Sequence, residues 1–245
     1  MQTRRIRPTR AYPGLRVAVG AAVLALALMT GLLVSIDRRH AQAAASTQNL
    51  HAADVVVGST TYNTMNTGAV VGTLATAVTP TLSTKGTWYN MADAAGVTTF
   101  ASDPVPAGAT WQLQGTWTFA PYLNASGAGL RRYWRANLVK IDTNGTTTVI
   151  GTTASSLRIA MSTTFTQYTL TLAVGPTTLT AGQRFGVNFQ INPDDPSGTS
   201  SLGFDIAAQT SYVTAQITST PDAPTSVVAT PGSGQASVTW VAPAS

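Results

Sequence analysis

The sequence predicts an all-β protein, built as a two-sheet antiparallel β-sandwich with a jelly-roll-like topology. Three observations support this class. Apolar and polar residues alternate with a period of two along many short segments, and turn signals separate those segments. The 245 residues include no Glu, few Lys and many Thr and Val, and only 9% are charged, which disfavours helices and favours strands.

The alternation is clearest in TWQLQGTWTF, where Trp111, Leu113, Trp117 and Phe119 share one face. In LRRYWRANLVK, Trp134 and its alternate neighbours are expected to face the core. Further sets follow the same code in QYTLTLAV, RFGVNFQI and LGFDIA, and a shorter set comprises Leu157, Ile159 and Met161. Together these segments predict about eight or more strands between residues 54 and 220, enough for two packed sheets.

Turn residues divide the strands. Asp142-Thr143-Asn144-Gly145 lies between two strand-like runs and predicts a hairpin, since Asn-Gly readily supplies the positive φ that such turns need. Two further loops, at residues 103–108 and 192–198, are rich in Pro, Gly and Asp. No long segment after residue 43 has helical periodicity.

The first 43 residues predict an export leader. A basic stretch precedes the uncharged run Val17–Ile36, and Ala41-Gln42-Ala43 then offers a cleavage site after Ala43. The alternative is an uncleaved anchor helix, because about 20 apolar residues can span a bilayer. Under either reading the remainder is expected to be secreted or displayed at the cell surface, touching a membrane only through this segment.

The net charge of +5 belongs to that leader. Seven of the fourteen basic residues lie within the first forty positions, whereas after residue 43 seven basic residues face eight Asp. The exported part is therefore close to neutral. It lacks the basic surface that phosphate backbones require, which argues against a nucleic-acid partner.

The region from Asp54 to Thr220 resembles β-sandwich modules of large secreted bacterial proteins. The resemblance rests on the order of PAGATWQLQGTWTF, RANLVKIDTNGTTTVIG, LTAGQRFGVNFQI and SSLGFDI. These are architectural segments and not catalytic motifs. The resemblance therefore implies a fold and an extracellular location, and we assign residues 54–220 to one domain.

The last segment, residues 221–245, resembles the beginning of a fibronectin type III domain. Pro221 and Pro224 match its lead-in, Val227 and Val228 its first strand, and Trp240 its core tryptophan. Two strands cannot complete a sandwich that needs about seven. We therefore expect an incomplete domain here, the alternative being a Pro- and Ser-rich tail that does not fold.

The chemistry available to this sequence is narrow. There is no Cys and only two His, His40 and His51, neither of which the sequence places beside an orienting acid. We therefore expect no enzyme, but an exported non-catalytic module that binds carbohydrate, mediates adhesion or acts as a spacer. The alternative is an accessory region of a secreted polysaccharide-degrading enzyme whose catalytic domain lies elsewhere.

A calcium ion is the one cofactor that the sequence suggests. Asp194 and Asp195 share a loop and Asp205 lies nearby in sequence, and carboxylate oxygens are the ligands that calcium prefers. The alternative is a proline-bracketed turn in which the Asp side chains cap their own backbone.

The best candidate for a binding surface is the basic and aromatic strand around residue 133. Tyr133, Arg135 and Asn137 are expected to face outward beside Arg131, where an aromatic ring and polar groups could hold a polysaccharide or a cell-surface glycan. The alternative is an ordinary strand face covered by long Arg side chains.

Overall fold

The computed structural model describes residues 44–70, 72–206, 208, 210–221, 225–232 and 235–241. Within these residues the protein is all-β and contains no α-helix, which confirms the predicted class. No helix in this part is long and apolar enough to cross a membrane. The leader and its cleavage site at Ala43 lie outside the described residues and stay predictions, as does the jelly-roll topology.

The strands vary from two to fourteen residues in length. They are β1 (Ala44–Val57), β2 (Thr60–Asn66), β3 (Ala75–Val78), β4 (Tyr89–Asn90), β5 (Thr99–Ala101), β6 (Ala109–Ala120), β7 (Tyr122–Ala125), β8 (Arg131–Ile141), β9 (Thr147–Thr152), β10 (Ile159–Ala160), β11 (Thr166–Gln167), β12 (Leu170–Thr180), β13 (Arg184–Pro193), β14 (Ser200–Phe204), β15 (Tyr212–Pro221), β16 (Thr225–Gly232) and β17 (Gln235–Val241).

Most strands belong to one 11-stranded sheet with the order β10-β8-β13-β5-β2-β1-β15-β6-β12, in which β4 also pairs with β13 and β9 with β8. A 4-stranded sheet has the order β11-β7-β14-β3, and β16 pairs with β17 alone. All of these pairings are antiparallel except that of β2 with β5. The first strand, β1, pairs with β15, so the two ends of the body meet in one ladder.

The large sheet curls back on itself. Trp117 in β6 and Phe185 in β13 lie far apart in the strand order, yet their rings pack edge to face with centroids 5.1 Å apart. At the rim, a Cβ added to Gly151 in β9 would lie 2.8 Å from Cδ2 of Leu172 in β12. The opposite ends of the sheet therefore lie against each other and enclose the core.

The small sheet packs against the large one through aromatic residues. Phe204 at the end of β14 meets Phe100 of β5 edge to face, with ring centroids 4.9 Å apart. Both side chains are buried, as is Leu202 two positions earlier in β14. Burying a side chain of this size contributes about 2 kcal/mol, so this contact is a main link between the sheets.

Burial follows the predicted alternation along most strands. Trp134, Ala136 and Leu138 are buried, whereas the residues between them are half-buried on the other face of β8. Trp117 is also fully buried, as its strand pattern predicted. The prediction for Leu157 is wrong, since this side chain is 87% exposed and lies before the short β10 begins.

The predicted Asn-Gly hairpin connects β8 and β9. Gly145 has φ +84°, and the Asp142 carbonyl accepts a hydrogen bond from its N–H at 2.8 Å. A Cβ on Gly145 would lie only 2.3 Å from the Val57 carbonyl oxygen, because this turn packs against the turn between β1 and β2. Glycine is thus required here both for its φ and for its small size.

The body starts with a long strand and is followed by a separate hairpin. β1 begins at Ala44, so residues before Asp54 already pair with β2 and β15. After β15, strands β16 and β17 form a hairpin on which Val227, Val228 and Val238 are exposed. This hairpin has the two strands expected of a fibronectin type III beginning, and that assignment stays a prediction.

Candidate functional site

The candidate site is a histidine–aspartate pair that joins β1 to the segment following β14. His51 lies in β1 at a point where pairing with β2 shifts register, between His51 and Asp54. The ladder resumes at Asp54, so the extra residues of β1 form a bulge. Bulges of this kind re-aim side chains and are frequent beside functional sites.

Asp205 follows β14 directly and adopts an unusual backbone conformation. Its φ is +60°, one of two positive φ values among the described non-glycine residues. Its N–H donates a hydrogen bond to the Leu50 carbonyl at 3.2 Å, which ties it to the strand that carries His51. A left-handed aspartate costs roughly 1 kcal/mol and persists where surrounding contacts fix it.

The two side chains face each other. The Nδ1 atom of His51 lies 3.4 Å from Oδ1 of Asp205, and the side chains are 13% and 18% exposed. Gly72 lies behind the carboxylate, since a Cβ added there would be 2.5 Å from Oδ2 of Asp205. The glycine therefore leaves the room in which the aspartate side chain lies.

The other ring nitrogen of His51 has no hydrogen-bond partner among the described residues. This atom, Nε2, is buried. A buried polar atom left without a partner costs about 1–3 kcal/mol, so each such atom needs an explanation, and a catalytic role is one of them. In a neutral imidazole whose Nδ1–H points to the aspartate, Nε2 carries the lone pair.

This pair corrects the expectation that neither histidine is placed beside an orienting acid. No local pattern predicted this pair, because His51 and Asp205 are distant along the chain and meet only through the bulge and the left-handed aspartate. Nδ1 held by a carboxylate with Nε2 free is the arrangement that makes imidazole a proton acceptor. The 3.4 Å separation is long for a hydrogen bond, and such contacts commonly tighten when a substrate binds.

The three expected calcium ligands have other partners. Asp194 pairs with Lys85 and with Arg158, whose hydrogen bonds hold the pKa of Asp194 below its ordinary 3.8. Asp195 accepts a hydrogen bond from the Arg131 N–H at 2.9 Å, and Asp205 pairs with His51. Among the described residues, no three acidic, His or Cys side chains form a group that could hold a metal.

The four expected ligand-binding residues all lie on β8. The Arg135 guanidinium lies over the Trp88 ring, with Cζ 4.2 Å from the ring centroid. Asn137 donates a hydrogen bond to Asn188 at 2.8 Å, and Tyr133 is half-buried on the same face. Arg131 is exposed at the start of the strand. The sequence missed Trp88, which lies in a stretch without regular alternation.

The chain matches no protein-family model and no curated protein sequence. It resembles a CocE/NonD family hydrolase from Staphylococcus aureus with a TM-score of 0.50 and 10% identity, over 72% of this chain and 36% of that chain. An α-amino acid ester hydrolase matches with a TM-score of 0.48 and 12% identity, over 71% of this chain and 36% of that chain. An aminopeptidase from the marine sediment archaeon Thaumarchaeota archaeon matches with a TM-score of 0.46 and 10% identity, over 71% of this chain and 37% of that chain. The chain thus spans little more than a third of each protein's length.

The likeness to the first hydrolase concerns the fold, and it corrects our expectation of a non-catalytic module. The described body is arranged like part of a hydrolase, so the expectation that the chain is no enzyme is wrong. The same likeness contradicts the function of a non-catalytic carbohydrate-binding, adhesive or spacer module, and the alternative of an accessory region in a polysaccharide-degrading enzyme. The polysaccharide or cell-surface glycan as a partner stays a prediction.

Proposed function

We propose that this chain is a domain of a hydrolase, built as a jelly-roll-like β-sandwich, in which His51 is the base that Asp205 orients. The observation that carries the proposal is the contact from His51 Nδ1 to Asp205 at 3.4 Å, while Nε2 has no hydrogen-bond partner in the part of the chain that the structure describes. The fold likeness to a hydrolase supports the class of reaction, although a fold by itself hosts many functions.

The proposed chemistry uses Nε2 as a proton carrier. As the oxygen of a water or hydroxyl forms its bond to a carbonyl carbon, Nε2 accepts the O–H proton and the imidazole becomes a cation. The Asp205 carboxylate stabilises that cation across the 3.4 Å contact. The same proton then passes to the leaving oxygen or nitrogen as its bond to the carbonyl carbon breaks. Proton transfer of this kind accelerates a reaction about 10²–10⁴-fold.

The burial of Nε2 has a consequence for access. Because this atom is covered by protein in the described conformation, an attacking group reaches it only when the covering residues move. The bulge beside His51 is a point where the ladder of β1 and β2 is already interrupted. We therefore place the opening at this bulge.

The test is hydrolysis by the full 245-residue chain. An activated ester such as p-nitrophenyl acetate and a panel of amino acid esters and anilides serve as substrates. We expect His51→Ala to lower kcat/KM about 100-fold or more and Asp205→Asn to lower it about tenfold or more. Asp54→Asn is the matched control, because it removes an exposed carboxylate at the other end of the same bulge and leaves the rate unchanged.

A comparison of kcat with KM separates a catalytic role from a structural one. His51→Ala should lower kcat and leave KM unchanged, while circular dichroism shows a folded protein. Equal rates for the wild type and a folded His51→Ala variant would overturn the proposal.

We also propose that the protein is exported and that its leader is removed after Ala43. The basic stretch, the uncharged run and the small residues at 41–43 support this proposal. We expect the N-terminus of the exported protein to read AASTQ, as measured by N-terminal sequencing or intact mass. A product that retains Val17–Ile36 would instead indicate an anchor.

A further inference from the structure

Arg135 is a cation without an acidic partner on the outer face of β8. Among the described residues no carboxylate lies within ion-pair distance of it, although Lys85, Lys140 and Arg158 each have one. Its side chain is half-buried. Because no acid neutralises this guanidinium and partial burial reduces screening by water, it can attract an anionic ligand.

The position of this guanidinium is fixed from two sides. Its flat face lies on Trp88 at 4.2 Å, and its Nε donates a hydrogen bond to Oε1 of Gln190 at 2.7 Å. Cation–π stacking and a hydrogen bond to Nε restrain both the plane and the rotation of the group. The two terminal nitrogens make no hydrogen bond to the rest of the described chain, so they remain available.

A chain of amides fixes Gln190 in turn. Its Nε2 donates a hydrogen bond to Oδ1 of Asn90 at 2.7 Å, and the same oxygen accepts a second one from Asn188 at 3.1 Å. Asn188 accepts from Asn137, which accepts from Thr152, each at 2.8 Å. The ladder crosses β4, β13, β8 and β9, so the arginine is held by the sheet rather than by a loop.

We infer that Arg135, held by Trp88 and Gln190, is a binding site for a carboxylate-bearing ligand. The two free terminal nitrogens of a guanidinium match the two oxygens of a carboxylate in a planar, bidentate pair. A carboxylate is favoured over a phosphate because Arg135 is a single cation here, and its neighbours on β13 and β4 are neutral amides. The site shares no residue with the His51–Asp205 pair and does not depend on hydrolysis.

The test is a titration of the full chain with benzoate, followed through the Arg135 Nε–H signal in NMR spectra. Arg135→Lys identifies the signal. We expect a saturable shift with benzoate and acetate, and none with benzamide, which has the same shape without the charge. A shift with inorganic phosphate but not with benzoate would overturn the carboxylate assignment, and no saturable shift with any anion would overturn the site.

Two variants and a control complete the experiment. Arg135→Lys keeps the charge but removes the bidentate geometry, and binding measured by calorimetry should weaken at least about tenfold. Gln190→Glu places an acid beside Nε, where it competes with the ligand, and should weaken binding to a similar extent while Arg135 remains. Lys140→Arg, at a cation on the same strand that already pairs with Asp142, should leave binding unchanged. Retained binding in both Arg135→Lys and Gln190→Glu would contradict the inference.

Discussion

Arg132 is a buried arginine whose guanidinium donates hydrogen bonds to backbone carbonyls and not to a carboxylate. Its Nη1 donates hydrogen bonds to the carbonyls of Arg131 at 3.1 Å and Asp195 at 2.6 Å, and its Nη2 donates to the Ser197 carbonyl. The side chain is fully buried, and this burial lowers its pKa. The loop between β13 and β14 is therefore built around one guanidinium.

Replacing Arg132 should be costly. Arg132→Leu leaves the partly buried carbonyls of Asp195 and Ser197 without this donor and removes a fully buried side chain, and we expect it to lower the free energy of unfolding by about 3 kcal/mol. Arg131→Leu is the matched control, because this neighbour is exposed and should change stability by less than about 0.5 kcal/mol. Urea unfolding followed by tryptophan fluorescence measures both, and similar values for the two variants would contradict the assigned role.

Asp194 gives the same loop a dependence on pH. Hydrogen bonds from Lys85 and Arg158 lower the pKa of Asp194 in the folded protein, so the carboxylate binds its proton more tightly in the unfolded chain. The stabilisation is therefore complete above the ordinary carboxyl pKa of 3.8 and is lost as the pH falls below it toward the lower pKa of the folded protein. We expect Asp194→Asn to flatten the loss of stability below about pH 4, whereas Asp54→Asn should not. Thermal unfolding measured across the acid range decides between these outcomes.

The hairpin of β8 and β9 shows what turn chemistry contributes at the scale of an element. Gly145→Ala combines a positive φ with a clash, since its Cβ would lie 2.3 Å from the Val57 carbonyl. Gly129→Ala is the matched control, with φ +73° and open space around the added atom. We expect about 1 kcal/mol of destabilisation for Gly129→Ala and at least about twice that for Gly145→Ala. If the two variants lose equal free energy of unfolding, as measured by thermal or urea unfolding, the close approach of the two turns does not contribute to stability.

The elements also show how far the sequence can predict this fold. The strands around Trp134 and Phe189 and the turn at Gly145 could be predicted because alternation and Asn-Gly chemistry are local signals. Leu157 could not, because its exposure depends on where the short β10 begins and not on its own neighbours.

The candidate site was predictable only in part, for a related reason. Arg135 and Asn137 were placed on the outer face by alternation alone, whereas the stacking of Trp88 on Arg135 needs β4 to pair with β13. The His51–Asp205 pair needs a bulge, a left-handed residue and a glycine at position 72 to coincide in space. Tertiary packing determines both the Trp88–Arg135 stacking and the His51–Asp205 contact, and no residue spacing along the chain predicts either of them.

At the scale of the whole molecule, the curl of the large sheet determines which residues lie inside the body and where the two proposed sites lie. Trp117 and Phe185 fill the interior where the two halves of the sheet face each other. The Arg135 face lies outside on β8, β13 and β4, whereas the His51–Asp205 pair lies where β1 meets the end of β14. One closed body thus carries two chemically distinct sites, and each can be changed by substitutions that leave the other intact.

The ladder between β1 and β15 has a consequence for how the protein reaches its native state. Ala44 pairs with Ile217, so residues 44–48 of β1 have no ladder partner among the described strands until β15 has been synthesised. Topologies dominated by such distant pairings refold slowly, on the order of milliseconds to seconds. Because this ladder closes late, one edge of the body stays open while the intervening strands form, and this is compatible with the export that we propose.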